Sequence, residues 1–261
     1  MLPELYETAS DHMPRAIKDV VRTAATRIGC AMGRLPGVEL LGPHLEMLFS
    51  ALDIDYVLDV GAHRGGFARF LRNIGYRGSI ISFEPEPENY RVLSAAAQRD
   101  SKWRALPFAL GDKDTTAAFN VAHLSQFSSF LEPSTYSREQ FGVASGTDRV
   151  ISVEMRRLHS VLEELVGNPE SHRFFLKMDT QGYDMNVLDG AASSLAFVQG
   201  IQTEVSVKAI YEEMISYDVA IGRLQALGFE LTGLFPVTRD RDLRVVEFDC
   251  VMRKVGQHRA A

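Results

Sequence analysis

The sequence predicts an α/β protein built on a mostly parallel sheet. Three observations carry this expectation. Short apolar runs of strand length alternate with stretches of helical periodicity along most of the chain, and the connections between them are short. A glycine-rich turn joins the first such run to the first such helix, the junction where open parallel sheets hold their ligands. Length and composition agree: 261 residues with 46% hydrophobic and 24% charged side chains describe an ordinary globular chain, long enough for one elaborated α/β domain.

Residues 1–53 read as helical and irregular. Ile17, Val20, Val21, Ala24, Ala25 and Ile28 recur at helical spacing. Gly33, Pro36, Gly37, Gly42 and Pro43 then interrupt the pattern, and 44–52 reads as a further short helix. This region is expected to be a helical N-terminal cap. Asp55-Tyr56-Val57-Leu58-Asp59-Val60 is a buried strand, followed by GAHRGGFARFLRNIG, which places Phe67, Phe70, Leu71 and Ile74 on one helical face. Ser79–Phe83 is a second buried strand. Pro87 opens a helix through Tyr90, Val92, Leu93 and Ala96. Residues 103–110 give a third, weaker strand. The pattern resumes with a strand at 174–178 and a helix from Val187 to Phe197. Next come a strand at 200–205, a helix at about 208–227, and strands at 229–235 and about 245–252. Between the halves, 115–165 differs: AAFNVA and VISVEM read as two strands around a Ser-, Gly- and polar-rich stretch.

Charge and cysteine content exclude several classes. Net charge is −6, whereas binding nucleic acid through bulk electrostatics needs a positive surplus, so no nucleic-acid partner is expected. Cys30 and Cys250 cannot build a disulfide framework and have no zinc spacing; both are expected reduced. No run approaches a membrane span, and the N-terminus lacks a basic region followed by an apolar one. The expected location is the cytoplasm.

The chemistry concentrates at strand ends. VLDVGAHRGGFA sets Asp59, Gly61, Gly65 and Gly66 at a strand-to-helix turn. The spacing is G-x-x-x-G rather than the dinucleotide G-x-G-x-x-G. Asp59 would repel a pyrophosphate but attract an ammonium group. Glu84 ends the second strand 84 − 61 = 23 residues after Gly61, the interval of a carboxylate accepting from ribose hydroxyls. Glu86 and Glu88 read as solvated residues of a first helical turn. Asp112, after Ala109-Leu110-Gly111, either accepts from an adenine amino group or simply closes a turn.

DVGAHRGGFA, FEPEPENY, ALGD and LKMDTQGYDMNVLDGA, in that order, resemble the FkbM family of S-adenosylmethionine-dependent methyltransferases over about residues 45–254. The resemblance implies a Rossmann-like class I methyltransferase with a mostly parallel seven-stranded sheet and an antiparallel last strand. The domain would span 54–254, with 113–165 as an inserted substrate-side segment and 255–261 as a C-terminal tail. It implies that Asp59, Gly61, Ala62 and Gly65 line the methionine end of the cofactor. His63 stands where the family often has Asn, toward the cofactor carboxylate. Glu84 would hold the ribose, and Ala109, Leu110 and Asp112 would lie near the adenine. Thr180-Gln181-Gly182 replaces the family's frequent Val-Glu-Gly.

Lys177 and Asp179 end the fourth strand of the parallel pattern and Glu204 ends the fifth. A lysine and two carboxylates beside a methyl donor point to general-base work on a hydroxyl, or to a divalent cation held by Asp179 and Glu204. Ser125 and Ser128 of the polar insert, with Tyr183 and Tyr211, are candidate substrate contacts. The histidines His123, His159 and His172 show no ligand spacing. The expected reaction is O-methylation of a sugar, glycolipid, polyketide or related small-molecule or glycan hydroxyl. Two alternatives stay open: a non-catalytic cofactor-binding protein on the same fold, and a nicotinamide-dependent oxidoreductase, which the glycine spacing and Asp59 disfavour.

Overall fold

The computed structural model describes residues 40–256. The chain divides into two compact units, 1–47 and 48–261. The expected helix over 17–28, Cys30 and the end of the tail lie outside the described residues. Helix α1 (Leu41–Leu52) includes Gly42 and Pro43, which were expected to interrupt the chain. They fall in its first turn, where proline costs no hydrogen bond.

The larger unit holds a seven-stranded sheet in the order β3-β2-β1-β7-β8-β10-β9. Its strands are β1 (Tyr56–Val60), β2 (Ser79–Phe83), β3 (Trp103–Leu106), β7 (Phe174–Met178), β8 (Val198–Ser206), β9 (Phe229–Arg239) and β10 (Val245–Lys254). All neighbours from β3 to β8 pair in parallel. β10 runs antiparallel to both β8 and β9, as expected of the last strand. Helices α2 (Gly66–Asn73), α3 (Pro87–Ala97), α5 (Leu158–Val166), α6 (Asp184–Ala191) and α7 (Tyr217–Ala226) supply the crossovers that parallel pairing demands. The strand interiors are fully buried: Val57, Leu58, Phe174, Phe175, Leu176 and Ile201 have no exposed surface. A continuous apolar run, rather than an alternating one, reports that both faces of the sheet are covered.

Two expectations change. The third strand is two strands. Trp103–Leu106 joins the main sheet, and Pro107 separates it from β4 (Ala109–Leu110), which pairs with β6 (Thr147–Arg156) in a second sheet of order β4-β6-β5. Its third strand is β5 (Thr115–Ala122). The helix expected at 208–227 starts only at Tyr217. The preceding segment stays irregular because Ile210 and Tyr211, both 1% exposed, are drawn into an apolar cluster with Val246. Between β5 and β6 lie a short 3₁₀ turn at Ser125–Phe127 and helix α4 (Thr135–Phe141).

β1 is flanked by β2 on one side and β7 on the other, so the strand order turns at the β1/β7 junction. Ligands in such sheets bind outside the carboxyl ends of the strands at that junction. Asp59, Glu84, Lys177, Asp179 and Glu204 all stand at or just beyond those ends.

Candidate active site

The sheet register sets Ser82, Asp59, Lys177 and Gln202 in one row across β2, β1, β7 and β8. Their side chains link up. Trp103 Nε1 donates to Ser82 Oγ (3.0 Å), and Ser82 Oγ donates to Asp59 Oδ2 (2.9 Å). Lys177 Nζ lies 3.2 Å from Asp59 Oδ1 and 3.3 Å from Asp179 Oδ2, and donates to Gly61 O at 3.4 Å. It also sits 5.4 Å from the Phe67 ring centroid. Burial alone would lower the lysine pKa, but the Asp179 and Asp59 carboxylates raise it above its ordinary value. Lys177 is therefore a charged hub that ties the first strand end to the fourth parallel one. Asp59 is fully buried, while the Asp179 side chain keeps 40% of its surface.

The glycine turn owes its glycines to protein packing. Gly61 has φ +75°, and a Cβ there would lie 2.0 Å from the Asp179 carbonyl oxygen. At Gly65, φ +81°, a Cβ would meet the Trp103 ring and Leu93. Gly66 differs: nothing lies within 4 Å of an added Cβ, and α2 begins there with no side-chain cap. Its first-turn N–H groups can receive a ligand carboxylate. Ala62 is buried, and its N–H shares the Phe83 carbonyl with that of Gly61.

Glu84 is 5% exposed. Its Oε2 accepts from His63 N (2.7 Å) and its Oε1 from Glu86 N (2.9 Å). Each oxygen keeps a further lone pair, so a ribose diol can still donate to both. Burial pushes the carboxyl up to about 7, against the pull of those two N–H groups. The residues present thus fit a cofactor with a ribose and a carboxylate. Asp112 accepts from Tyr183 OH (3.1 Å), whose pKa burial and this carboxylate push to about 12. Ala109 and Leu110 are buried in β4, paired with Met155 and Arg156.

The fifth parallel strand completes the cluster. Gln181 Nε2 donates to Asp179 Oδ1 (3.0 Å) and to Glu204 Oε2 (3.2 Å). Burial, then the Asp179 charge, then Glu247 and Asp249 raise the Glu204 pKa well above its ordinary value. Among the described residues no group of three or more His, Cys, Asp or Glu is arranged to hold a metal ion.

The insert lies over this edge of the sheet. His63, at φ +49°, brings Nε2 to 2.8 Å from Ser125 Oγ; burial and Arg64 lower its pKa. Ser129 Oγ donates to the Gln181 carbonyl (2.7 Å), and Tyr211 OH lies 3.0 Å from Phe127 O and 2.9 Å from Gln181 Oε1. Ser128 Oγ turns inward to accept from Ala122 N. Tyr211 is a buried clamp, not an exposed contact. A polar cavity of about 330 Å³ opens beside the turn, lined by His63, Arg64, Glu86, Asn89, Ser125 and Arg149 among others. Glu86 departs from its expectation: it is 2% exposed, caps α3 through Asn89 N and pairs with Arg149 at 3.0 Å. Glu88 is exposed as expected. His172 pairs with Asp55 and His159 with Ser193, while His123 and its partner Asp148 line that polar cavity.

Sequence reasoning placed Asp59, Glu84, Lys177, Asp179 and Glu204 at strand ends. It missed Ser82 and Trp103, and it left Gln181 without a role. Alternation does put Ser82, like Asp59, on the face opposite its buried neighbours, the one signal that could have found it.

Comparison with known proteins agrees with this geometry. The family model for the methyltransferase FkbM domain matches residues 59–231. A curated relative, 2-O-methyltransferase NoeI of Sinorhizobium fredii, is 27% identical over 209 residues, 76% of this chain and 78% of its own. A crystal structure of methyltransferase FkbM from Methylobacillus flagellatus aligns with TM-score 0.46 and 15% identity, covering 77% of this chain; this chain spans 44% of that one. Aeropyrum pernix fibrillarin with natively bound S-adenosyl-L-methionine aligns with TM-score 0.42 and 13% identity, over 76% and 66% of the two chains. No described helix is long and apolar enough to cross a membrane. With the glycine turn, the strand-end carboxylates and the K-x-D-x-x-G segment all inside the matched span, the chain belongs to the FkbM methyltransferase family.

Proposed function

We propose that the protein moves the methyl group of S-adenosylmethionine onto a hydroxyl oxygen of a small-molecule or glycan acceptor. The observation that carries this reading is the convergence of Glu84, Asp179 and Glu204 beside the glycine turn, with Lys177 fixed between Asp59 and Asp179. The printed activity of the NoeI relative, a 2-O-methyltransferase, supports an oxygen acceptor.

Bound S-adenosylmethionine supplies the activated methyl group. Glu84 would hold the ribose diol and the open start of α2 would receive the carboxylate, while Asp59 acts from beneath by holding Lys177. Asp179, the more exposed of the two central carboxyls, would take the acceptor's hydroxyl proton as the oxygen accepts the methyl group. Glu204, whose carboxyl burial and the neighbouring carboxylates push upward, lies beside it across Gln181. Alignment is the larger contribution, up to about 7–11 kcal/mol, and the base adds about 10²–10⁴-fold. Residues 54–254 form the methyltransferase domain in this reading, with 113–165 on the acceptor side.

Calorimetric titration tests the cofactor site. S-adenosylhomocysteine is expected to bind in the micromolar range, NAD not at all, and Glu84→Ala to abolish the binding. Binding of NAD instead would overturn the reading. In an acceptor screen, Asp179→Asn is expected to cost about 10²-fold or more in kcat and Glu204→Gln less. Wild-type turnover in Asp179→Asn would remove the base assignment and leave methyl transfer standing. EDTA dialysis is expected to leave turnover unchanged, since Lys177 and Gln181 already occupy the carboxylates a cation would need.

A further inference from the structure

The geometry points to Gln181 as the positioning residue of the reaction: its single amide group bridges the Asp179 and Glu204 carboxyls at the ends of β7 and β8. This inference rests on the reading above, because it assigns how that pair is tuned.

Three hydrogen bonds meet on one side chain. Nε2 uses one hydrogen on Asp179 Oδ1 and the other on Glu204 Oε2, and Oε1 accepts from Tyr211 OH. The network fixes the amide orientation, because the flipped form would set its oxygen against two carboxylates. The backbone is committed to the same end. Gln181 has φ +54°, a left-handed conformation that glycine would adopt without strain, and its carbonyl accepts from the buried Ser129 hydroxyl. Tyr211, 1% exposed, has one hydroxyl hydrogen, which lies between Gln181 Oε1 and Phe127 O, 2.9 and 3.0 Å from its oxygen.

The residue type matters. Two carboxylates this close cannot both ionise freely, and a donor between them stabilises the ionised form. Where the family frequently has glutamate, which offers the pair no N–H, this chain supplies an amide with two. Facing the pair are Lys177 from β7, Asp59 beyond it on β1, Asp184 from α6, Glu247 and Asp249 from β10, Tyr211 from the loop after β8, and His63 from the glycine turn. Lys177 is the one cation among them, and it leans on Asp59 and Asp179 rather than on Glu204. Gln181 is therefore, among the described residues, the one side chain that donates to both carboxyls.

Carbon-13 carboxyl NMR titration of Asp- and Glu-labelled protein tests this without an acceptor. Asp179→Asn and Glu204→Gln spectra assign the two resonances. Gln181→Met, matched in size but without the amide, is expected to move the pair's titration midpoints upward. Gln181→Glu is expected to move them further, by about one pH unit or more. Tyr211→Phe moves them less, in the same direction. With an acceptor in hand, the acid limb of kcat/KM should follow, costing about tenfold per unit below it. A merely structural role for Gln181 predicts lower thermal stability with unmoved midpoints, and midpoints unchanged within about 0.3 unit in folded Gln181→Met and Gln181→Glu proteins would overturn the proposal. Failure of S-adenosylhomocysteine to bind the wild type would instead strike the methyl-transfer reading, whatever the titration shows.

Discussion

Asp59, Lys177 and Asp179 illustrate how one buried charge dictates its neighbours. Lys177 is 5% exposed and Asp59 fully buried, so neither could remain ionised alone. Removing one partner of such a pair costs about 3–5 kcal/mol, because the other charge is left without compensation. Lys177→Met is expected to fall in that range, since it strands Asp59. Asp59→Asn is expected to cost less, because Asp179 still pairs the lysine and Ser82 can still donate to the amide oxygen. The double variant should recover part of the Lys177→Met loss. Urea denaturation of the four proteins measures the cycle; additive losses would show that the charges do not interact. Asp59, Lys177 and Asp179 were legible in the sequence because a charge inside an apolar strand demands a reason. Gln181 was not, because its role depends on Glu204 and Tyr211, 23 and 30 residues away, and no local pattern encodes those meetings.

At the scale of elements, the parallel strands were legible because burial on both faces leaves a continuous apolar run. The boundaries that failed share a cause. Ala109-Leu110 looked continuous with Trp103–Leu106, but Met155 and Arg156 of β6 recruit it into a second sheet. Residues 208–216 looked helical, but burying Ile210 and Tyr211 beneath the insert outweighs weak local propensity. The stretch from Ser125 to Ser129 reads as polar, with Ser125 and Ser128 as candidate substrate contacts. The structure makes it a strap, bonded to His63, Gln181 and Tyr211, which belong to three different strand ends. Ser129 is its anchor, 1% exposed, donating to Gln181 O and accepting from Leu131 N. Ser129→Ala leaves both unpaired and is expected to cost about 1–3 kcal/mol locally. Hydrogen exchange should show it as faster exchange at the Asn120 and Ser129 amides, which pair with each other, with the β1 and β7 amides unchanged. Uniform acceleration across the sheet would mean that the strap and the core open as one unit.

Over the whole molecule, the buried carboxyls set the direction of the stability curve. Glu84 and Glu247 are both raised to about 7, chiefly by burial, and Glu204 is raised as well. Between about pH 4.5 and 7 the folded state holds protons that the unfolded chain has released. Stability must therefore fall as pH rises through that window, by up to about 1.4 kcal/mol per unit for each independent group. Above about 7 Glu84 and Glu247 are ionised in both states and their contribution stops changing. Asp100, Asp114 and Asp240 act in the opposite sense: hydrogen bonds to Arg72, Arg157 and Arg244 lower them, so their contribution is lost only at more acidic pH. The free protein is thus expected to be most stable near pH 4–5 and to lose several degrees of Tm toward pH 7. Glu247→Gln, mimicking the protonated acid, should flatten that slope and raise Tm at pH 7, whereas Glu84→Gln would set its amide NH2 against the His63 or Glu86 N–H and lose that bond. S-adenosylhomocysteine should flatten it too, because a ribose diol donating to Glu84 stabilises the ionised carboxylate that burial disfavours. A wild-type Tm that rises from pH 5 to 7 without ligand would show that burial does not hold these carboxyls above their ordinary range in the folded protein.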